Sequence, residues 1–316
     1  MQSSPLSMAG LFAGVGGIEL GFKQAGFTPL LANEIDKYAG VTYSLNHSHS
    51  LILRDIHELQ TQEIPQIDVL TGGFPCQAFS VAGYRKGFKD PRGNVFWEIV
   101  RILDEKKPSI VFLENVKNLT GHDGGKTFKV VIQALETLGY HVSYKVMNAA
   151  QYSKIPQNRE RIYIVGFLKK RDYSRFEFPK EINAPLDLGA FIDFESKVDD
   201  NFYYNDKYMT KELVKSITSQ DTVYQWRRHY VRENKSGLCP TLTANMGTGG
   251  HNVPLVLTKH GIRKLTPREC FNLMGFPKSF KLPIGIANSQ LYKQAGNAVV
   301  VPVIKRIAAQ IMRAID

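Results

Sequence analysis

Up to residue 167, short apolar runs of strand length alternate with segments of helical texture, and no other property of the chain restricts its fold as strongly. Ser109-Ile110-Val111-Phe112-Leu113 and Arg161-Ile162-Tyr163-Ile164-Val165-Gly166-Phe167 read as buried strands. Asp90-Pro91-Arg92 reads as a helix start, with a capping acid and Pro at the first helical position. The alternation predicts an α/β protein with a doubly wound, mostly parallel sheet. Beyond Phe167 the texture changes. Lys169 to Lys259 is polar, aromatic and irregular, and Cys239 to Gly250 is a glycine-rich loop. Regular structure resumes at Thr266-Pro267-Arg268-Glu269, a capping box, and Val299 to Ile315 reads as an amphipathic helix that returns to the first domain. With 316 residues the chain can bury a sizeable core. The expected domains are 1–173, completed by 288–316, and a smaller 174–287.

Two strand ends carry chemistry. Phe12-Ala13-Gly14-Val15-Gly16-Gly17 follows an apolar run and precedes a helical one, which is the strand, glycine turn and helix of a nucleotide-cofactor loop. Such a turn also occurs for steric reasons alone, so Glu34, 20 residues beyond Gly14, matters: it is placed to accept from ribose hydroxyls. The second end is Gly72-Gly73-Phe74-Pro75-Cys76-Gln77-Ala78-Phe79-Ser80, after Ile67-Asp68-Val69-Leu70. Pro75 stiffens the backbone before the thiol, and the flanking Gly, Pro, Gln and Ser describe an exposed loop rather than a core site. Cys76 reads as a nucleophile.

The charge balance, 40 Lys and Arg against 29 Asp and Glu, gives a formal +11 and favours a polyanionic partner. Three cysteines, Cys76, Cys239 and Cys270, share no C-x-x-C spacing and fit a reducing cytosol rather than a disulfide framework. His47-x-His49 sits in a polar stretch and reads as a solvated turn, not a metal site; no metal is expected. No apolar run approaches membrane length, so a cytoplasmic protein is expected.

These segments, together with Asp55-Ile56, Glu114-Asn115-Val116, Gln157-Asn158-Arg159-Glu160-Arg161, Arg263 to Glu269 and Gln294-Ala295-Gly296-Asn297, resemble the motifs of the DNA (cytosine-5)-methyltransferases, in family order and across nearly the whole chain. The resemblance implies a Rossmann-like fold that takes S-adenosylmethionine and releases S-adenosylhomocysteine. It places Phe12, Ala13, Gly14, Gly16, Gly17, Glu34, Ile35, Asp55, Ile56, Pro75, Val95, Asn297 and Ala298 at the cofactor. Phe12 would pack on the adenine ring, Asp55 contact its amine, and Val95 form an apolar wall. The chain departs from the pattern at Ile35, where some relatives carry a Trp, and at Ala298, where a Ser is common.

The implied chemistry explains the residue types. Carbon 5 of cytosine becomes nucleophilic once a thiolate adds at carbon 6, which assigns that role to Cys76. Glu114 would protonate or hydrogen-bond ring nitrogen 3. Arg159 and Arg161 would lower the thiol pKa; their competing readings are a phosphate contact or a surface salt bridge. Because a stacked base is out of reach, it must be flipped, and methyltransferases are among the general examples of this behaviour. The Ser80–Lys89 loop, which follows Gln77 and contains Arg85, would close over the base while its cations touch phosphate. Arg227, Arg228 and Arg232, interleaved with Trp226 and Tyr230, would meet the double-stranded DNA, with Thr241 placing DNA-facing loops. A short, G/C-rich target, a monomeric state and a restriction endonuclease acting independently complete the expectation. The RNA-directed branch of the family carries Cys-Phe-Thr where this chain has Cys239-Pro240-Thr241, which counts against tRNA as substrate. A catalytically dead DNA-binding regulator would be expected to lack Cys76, Glu114 or one of the two arginines, and all are present.

Overall fold

A computed structural model describes residues 5–74, 95–204, 211–227, 230–248 and 252–316. The chain divides into two compact units. The first comprises 1–147, 160–180 and 303–316, and the second 148–159 and 181–302.

The first unit is built on seven strands: β1 (Ser7–Leu11), β2 (Thr28–Glu34), β3 (Ser50–Leu53), β4 (Val69–Gly73), β5 (Ile110–Val116), β6 (His141–Asn148) and β8 (Glu160–Phe167), ordered β3-β2-β1-β4-β5-β8-β6. The pairs β3/β2, β2/β1, β1/β4 and β4/β5 are parallel, and β8 runs antiparallel to β5. This is the expected doubly wound sheet, with the order reversing at β1/β4. Among its described helices are α1 (Gly17–Lys23), α2 (Lys37–Asn46), α3 (Val95–Lys106) and α4 (Lys126–Thr137). The β5 positions from Ile110 to Asn115 are all buried, which is why that run carries no polar alternation. α3 buries Phe96, Ile99, Val100, Ile102 and Leu103, one face at helical spacing. The helix start expected at Asp90-Pro91-Arg92 lies outside the described residues. At the C-terminus, Val303, Ile304, Ile307, Ala308, Ile311 and Ala314 of the helix Val301–Ile315 form its buried stripe. That helix approaches α1 so closely that a Cβ on Gly21 would lie 2.6 Å from the Ile304 side chain.

The second unit holds a four-stranded sheet, β10-β9-β12-β13, from β9 (Tyr224–Arg227), β10 (Tyr230–Glu233), β12 (Leu255–Thr258) and β13 (Gly261–Lys264). A short parallel pair joins β7 (Gln157–Asn158) to β11 (Cys239–Pro240). Relative to the expected boundaries, 148–159 and the helix Asn288–Asn297 group with this unit. The reason is specific bonding. Buried Gln157 donates to the Leu273 carbonyl at 2.8 Å, and a Cβ on Gly296 would meet the Thr243 backbone at 2.1 Å. Gly296 is therefore required by close backbone approach, not by the tight turn that its Gly-Asn setting implies. The capping box forms as read: Thr266 accepts from the Glu269 N–H, and Glu269 from the Thr266 N–H.

Candidate active site

The glycine turn leaves β1 with Phe12 at φ +54°, Gly14 at +56° and Gly16 at +84°. Three left-handed residues in five need outside anchorage, since a non-glycine there is strained. Ala13 N–H donates to the Asn33 carbonyl at 3.0 Å, and Gly16 N–H closes onto Ala13 at 2.8 Å. Glu34, at the end of β2, supplies the other anchor. Its Oε2 accepts from Gly14 N–H at 2.7 Å, while Oε1 accepts from Ile35 at 2.9 Å and Asp36 at 2.8 Å. A carboxylate oxygen has room for two donors, so Oε2 retains capacity toward a ligand. Around Gly14 a side chain would meet nothing within 4 Å, and Ile35 is 64% exposed. An open glycine shoulder, a buried acid beside it and an exposed aliphatic residue next in line make a cradle that fits a nucleoside.

Asp55 caps the turn at Ile56–Glu58, accepting from the His57 N–H at 3.0 Å and meeting the His57 ring nitrogen at 2.7 Å. Hydrogen bonds from His57 hold its carboxyl below the usual range. Ile56 is 4% exposed and belongs to the apolar core, so its side chain faces the protein interior and leaves the backbone as the part able to meet a ligand. Phe12 and Val95 are half-buried and pack on the edge of the same core.

The second strand end is set by β4 and β5. Glu114 lies opposite Gly73 in the parallel register, and a Cβ on Gly73 would sit 3.6 Å from Glu114 Oε2. On the other side, Arg161 of β8 brings Nε to 3.2 Å from Glu114 Oε1, both side chains being nearly buried. Asn115 donates to the Phe74 carbonyl at 2.7 Å and accepts from Val116 at 2.8 Å. It thereby fixes the backbone two residues before Cys76. The Glu114-Asn115-Val116 motif marks Asn115 in the sequence, but not this role, because its partner lies 41 positions away. Cys76 itself lies outside the described residues, as do Pro75, Gln77, Ser80, Arg85 and Arg228.

In the second unit, Arg159 is 3% exposed, and it donates to the carbonyls of Leu242 at 2.6 Å, Gly296 at 3.0 Å and Ala298 at 2.7 Å. Both competing readings of Arg159, a phosphate contact and a surface salt bridge, fail on that burial. Its guanidinium ties the Thr241-Leu242 segment to the Gly296-Asn297-Ala298 turn. Asn297 is exposed at the end of its helix, and Thr241 donates to the Asn158 carbonyl at 2.5 Å. Arg263, fully buried, forms a two-bond pair with Glu269 at 2.8 and 2.7 Å. In the β9/β10 hairpin, pairing sets Arg227 opposite Tyr230 and Gln225 opposite Arg232, so these four share one face. Trp226 and Val231 occupy the other face and pack on the small core, with Trp226 edge-on to Tyr204 at 5.8 Å. The aromatic that flanks Arg227 and Arg232 on their own face is thus Tyr230, 54% exposed, and not Trp226.

His47 corrects another reading. It is no solvated turn residue: its Nε2 lies 3.2 Å from the Val15 carbonyl, directly behind the glycine loop. No group of three metal-ligating side chains occurs among the described residues, and no described helix is long and apolar enough to cross a membrane.

Residues 6–313 match the family described as C-5 cytosine-specific DNA methylase. The chain belongs to that family. It is accordingly a DNA (cytosine-5-)-methyltransferase. Over 98% of its length it is 57% identical to the Type II methyltransferase M.Bsp6I of Bacillus sp. (strain RFL6), covering 99% of that protein. It is 43% identical to Type II methyltransferase M.HaeII of Haemophilus aegyptius, with 97% of this chain and 92% of the relative aligned. Among solved structures it resembles a Spodoptera frugiperda DNMT2 variant, with a TM-score of 0.76 at 22% identity over 97% and 99% of the two chains. That likeness speaks for the Rossmann-like methyltransferase fold.

Proposed function

We propose that this methyltransferase modifies carbon 5 of a cytosine flipped out of a short double-stranded DNA site, through a transient bond from Cys76 to carbon 6, as the protective methylase of a restriction-modification system. The observation that carries the reading is the Glu114–Arg161 pair beside the β4 end, three residues before Cys76. It sets a carboxyl and a cation where the expected thiol loop leaves the sheet. The curated relatives, Type II methyltransferases along their whole length, support the protective role.

Glu34 and the Phe12–Gly17 turn would hold the ribose and main chain of S-adenosylmethionine, with Ile35 against the adenine and Asp55 toward its amine. That cofactor supplies an electrophilic methyl group. The protein has to make carbon 5 electron-rich and keep water away. Cys76, as thiolate, adds to carbon 6. Glu114 meets ring nitrogen 3, so that the arriving charge is shared with a proton donor. Arg161 orients that carboxyl through its 3.2 Å contact and supplies positive potential near the thiol. Arg159 acts one step removed, by shaping the turn that presents Asn297. After transfer, loss of the carbon 5 proton, for which ordered water suffices, allows the Cys76 bond to break. Neither Cys239 nor Cys270 suits nucleophilic attack, because both are buried and burial pushes their thiols well above the usual range.

A target duplex carrying 5-fluorocytosine tests this reading, because fluorine cannot leave as a proton does. With cofactor, wild-type protein should form a denaturant-stable adduct and Cys76→Ser none. An adduct with the Ser variant, or none with wild type, would remove Cys76 from the mechanism.

A further inference from the structure

The glycine loop is gripped from two sides by residues at opposite ends of one helix. Ahead of α2 stands Glu34, whose carboxylate holds the Gly14 N–H at 2.7 Å. Immediately after α2 stands His47, whose Nε2 lies 3.2 Å from the Val15 carbonyl. Successive loop residues are thus held through a donor and an acceptor, 20 and 32 positions from their partners. We infer that His47 is a positioning residue of the methyltransferase, donating Nε2–H to the Val15 carbonyl so that the Phe12–Gly17 turn keeps the shape the cofactor meets.

Three observations support this. The ring and the loop are matched in shape, since a Cβ on Gly16 would fall 2.0 Å from His47 Nε2. The ring cannot swing away freely. It lies over the fully buried Tyr43 ring, with centroids 4.3 Å apart, and against His49 at 5.5 Å, and the Tyr43 hydroxyl is hydrogen-bonded to His49. Third, the loop needs such a tether, because Phe12 is held at φ +54° ahead of two left-handed glycines. Burial, opposed by the Val15 contact and reinforced by Lys23, lowers the basicity of His47, which favours a neutral ring with one N–H near pH 7. The Val15 carbonyl is an acceptor only, which favours the proton on Nε2.

The inference rests on the cofactor reading of the glycine loop, and the two fail separately. In full-length protein with ¹⁵N-labelled histidine at pH 7.5, His47 should be the Nε2–H tautomer, its Nε2 signal shifting when S-adenosylhomocysteine is added. A predominant Nδ1–H tautomer overturns the inference, with no variant required. By calorimetry, His47→Phe, which keeps the stacking and removes the donor, should bind S-adenosylhomocysteine about five- to tenfold more weakly. His47→Gln, which restores a donor, should recover to within about twofold of wild type. For S-adenosylmethionine, KM should rise by the same factor in the Phe variant while kcat falls less. Wild-type affinity in a folded Phe variant overturns the role of His47 and leaves the cofactor assignment standing. Wild-type protein that binds no S-adenosylhomocysteine overturns both.

Discussion

The two units treat their motif side chains in opposite ways. In the first unit, Glu34 at the end of β2 and Glu114 opposite the end of β4 are each steadied by a polar partner: a turn of loop N–H groups for Glu34, a guanidinium for Glu114. In the second, Gln157, Arg159 and Arg263 are buried and bonded largely to backbone carbonyls of their own unit. Arg159 and Arg161 compress the contrast into three residues. One ties three carbonyls together and the other pairs with the candidate acid. What separates them is strand direction: successive side chains along an extended chain point to opposite sides, so residues at i and i+2 share a side only while the strand continues. Here β8 begins at Glu160, after β7 has ended at Asn158, and the break between them sends the two arginines to different units. A charged residue inside a motif is therefore as apt to hold the fold as to do chemistry, and burial with its bonding partner tells which.

Substitutions can break this contrast, and the largest effect is expected at Glu114. Glu114→Gln should lower turnover by about 10²–10⁴-fold while cofactor affinity measured without DNA stays near wild type. Near-normal turnover would place Glu114 with the structural residues. Arg159→Met should act in the opposite sense. Three carbonyls lose their donor, and urea unfolding should show a loss of about 2–4 kcal/mol. If stability is kept and only turnover falls, Arg159 belongs with the chemistry after all.

Glu19 departs from the pattern of its own unit. It is 1% exposed, its Oε2 has no hydrogen-bond partner among the described residues, and a Cβ on Gly10 would lie 1.9 Å from Oε1. Burial raises its carboxyl from 4.5 to about 8. A raised folded-state value means the folded protein holds this proton more tightly. The stabilisation is then complete below about pH 4.5 and is lost as pH rises through about 8. Glu19→Gln should remove that slope, becoming more stable relative to wild type by about 4 kcal/mol between pH 5 and pH 9, as read from unfolding curves at each pH. A flat difference between the two proteins across this range would show that Glu19 is ionised in the fold.

The smallest effects belong to the exposed hairpin face. Of Arg227→Ala and Arg232→Ala, at least one should cost about 1–3 kcal/mol on the cognate site alone and let altered sites be methylated. A phosphate contact would instead weaken every sequence and flatten the salt slope by about one unit. Methylation of all single-base variants of the site separates the two. Equal losses on all sequences would move recognition to the segment that follows Thr241.

Much of the fold is legible in the sequence because its causes are short-ranged. The Thr266–Glu269 capping box and the apolar run of β5 each follow from hydrogen bonds or burial preferences within a few residues. Long-range pairing is what the sequence hides. His47 passes for a turn residue because Asn46, Ser48 and Ser50 are polar, and nothing near it in the chain announces Val15. Adjacency puts Trp226 beside the arginines, although a pleated strand sends neighbours to opposite faces. Gly296 suggests a turn, whereas its lack of a Cβ serves the Thr243 backbone.

The amino-acid sequence by itself determined the strand–helix alternation of the first unit and the family, since periodicity, glycine and proline act locally and the motifs occur in a fixed succession. It did not show the four-stranded sheet of the second unit, most of which lies in the stretch read as irregular. Tertiary structure alone decided which charges pair with one another and which bond the backbone and close the fold. A guanidinium or a carboxylate has the same chemistry everywhere, and only the packing around it determines whether water, backbone or another charge becomes its partner.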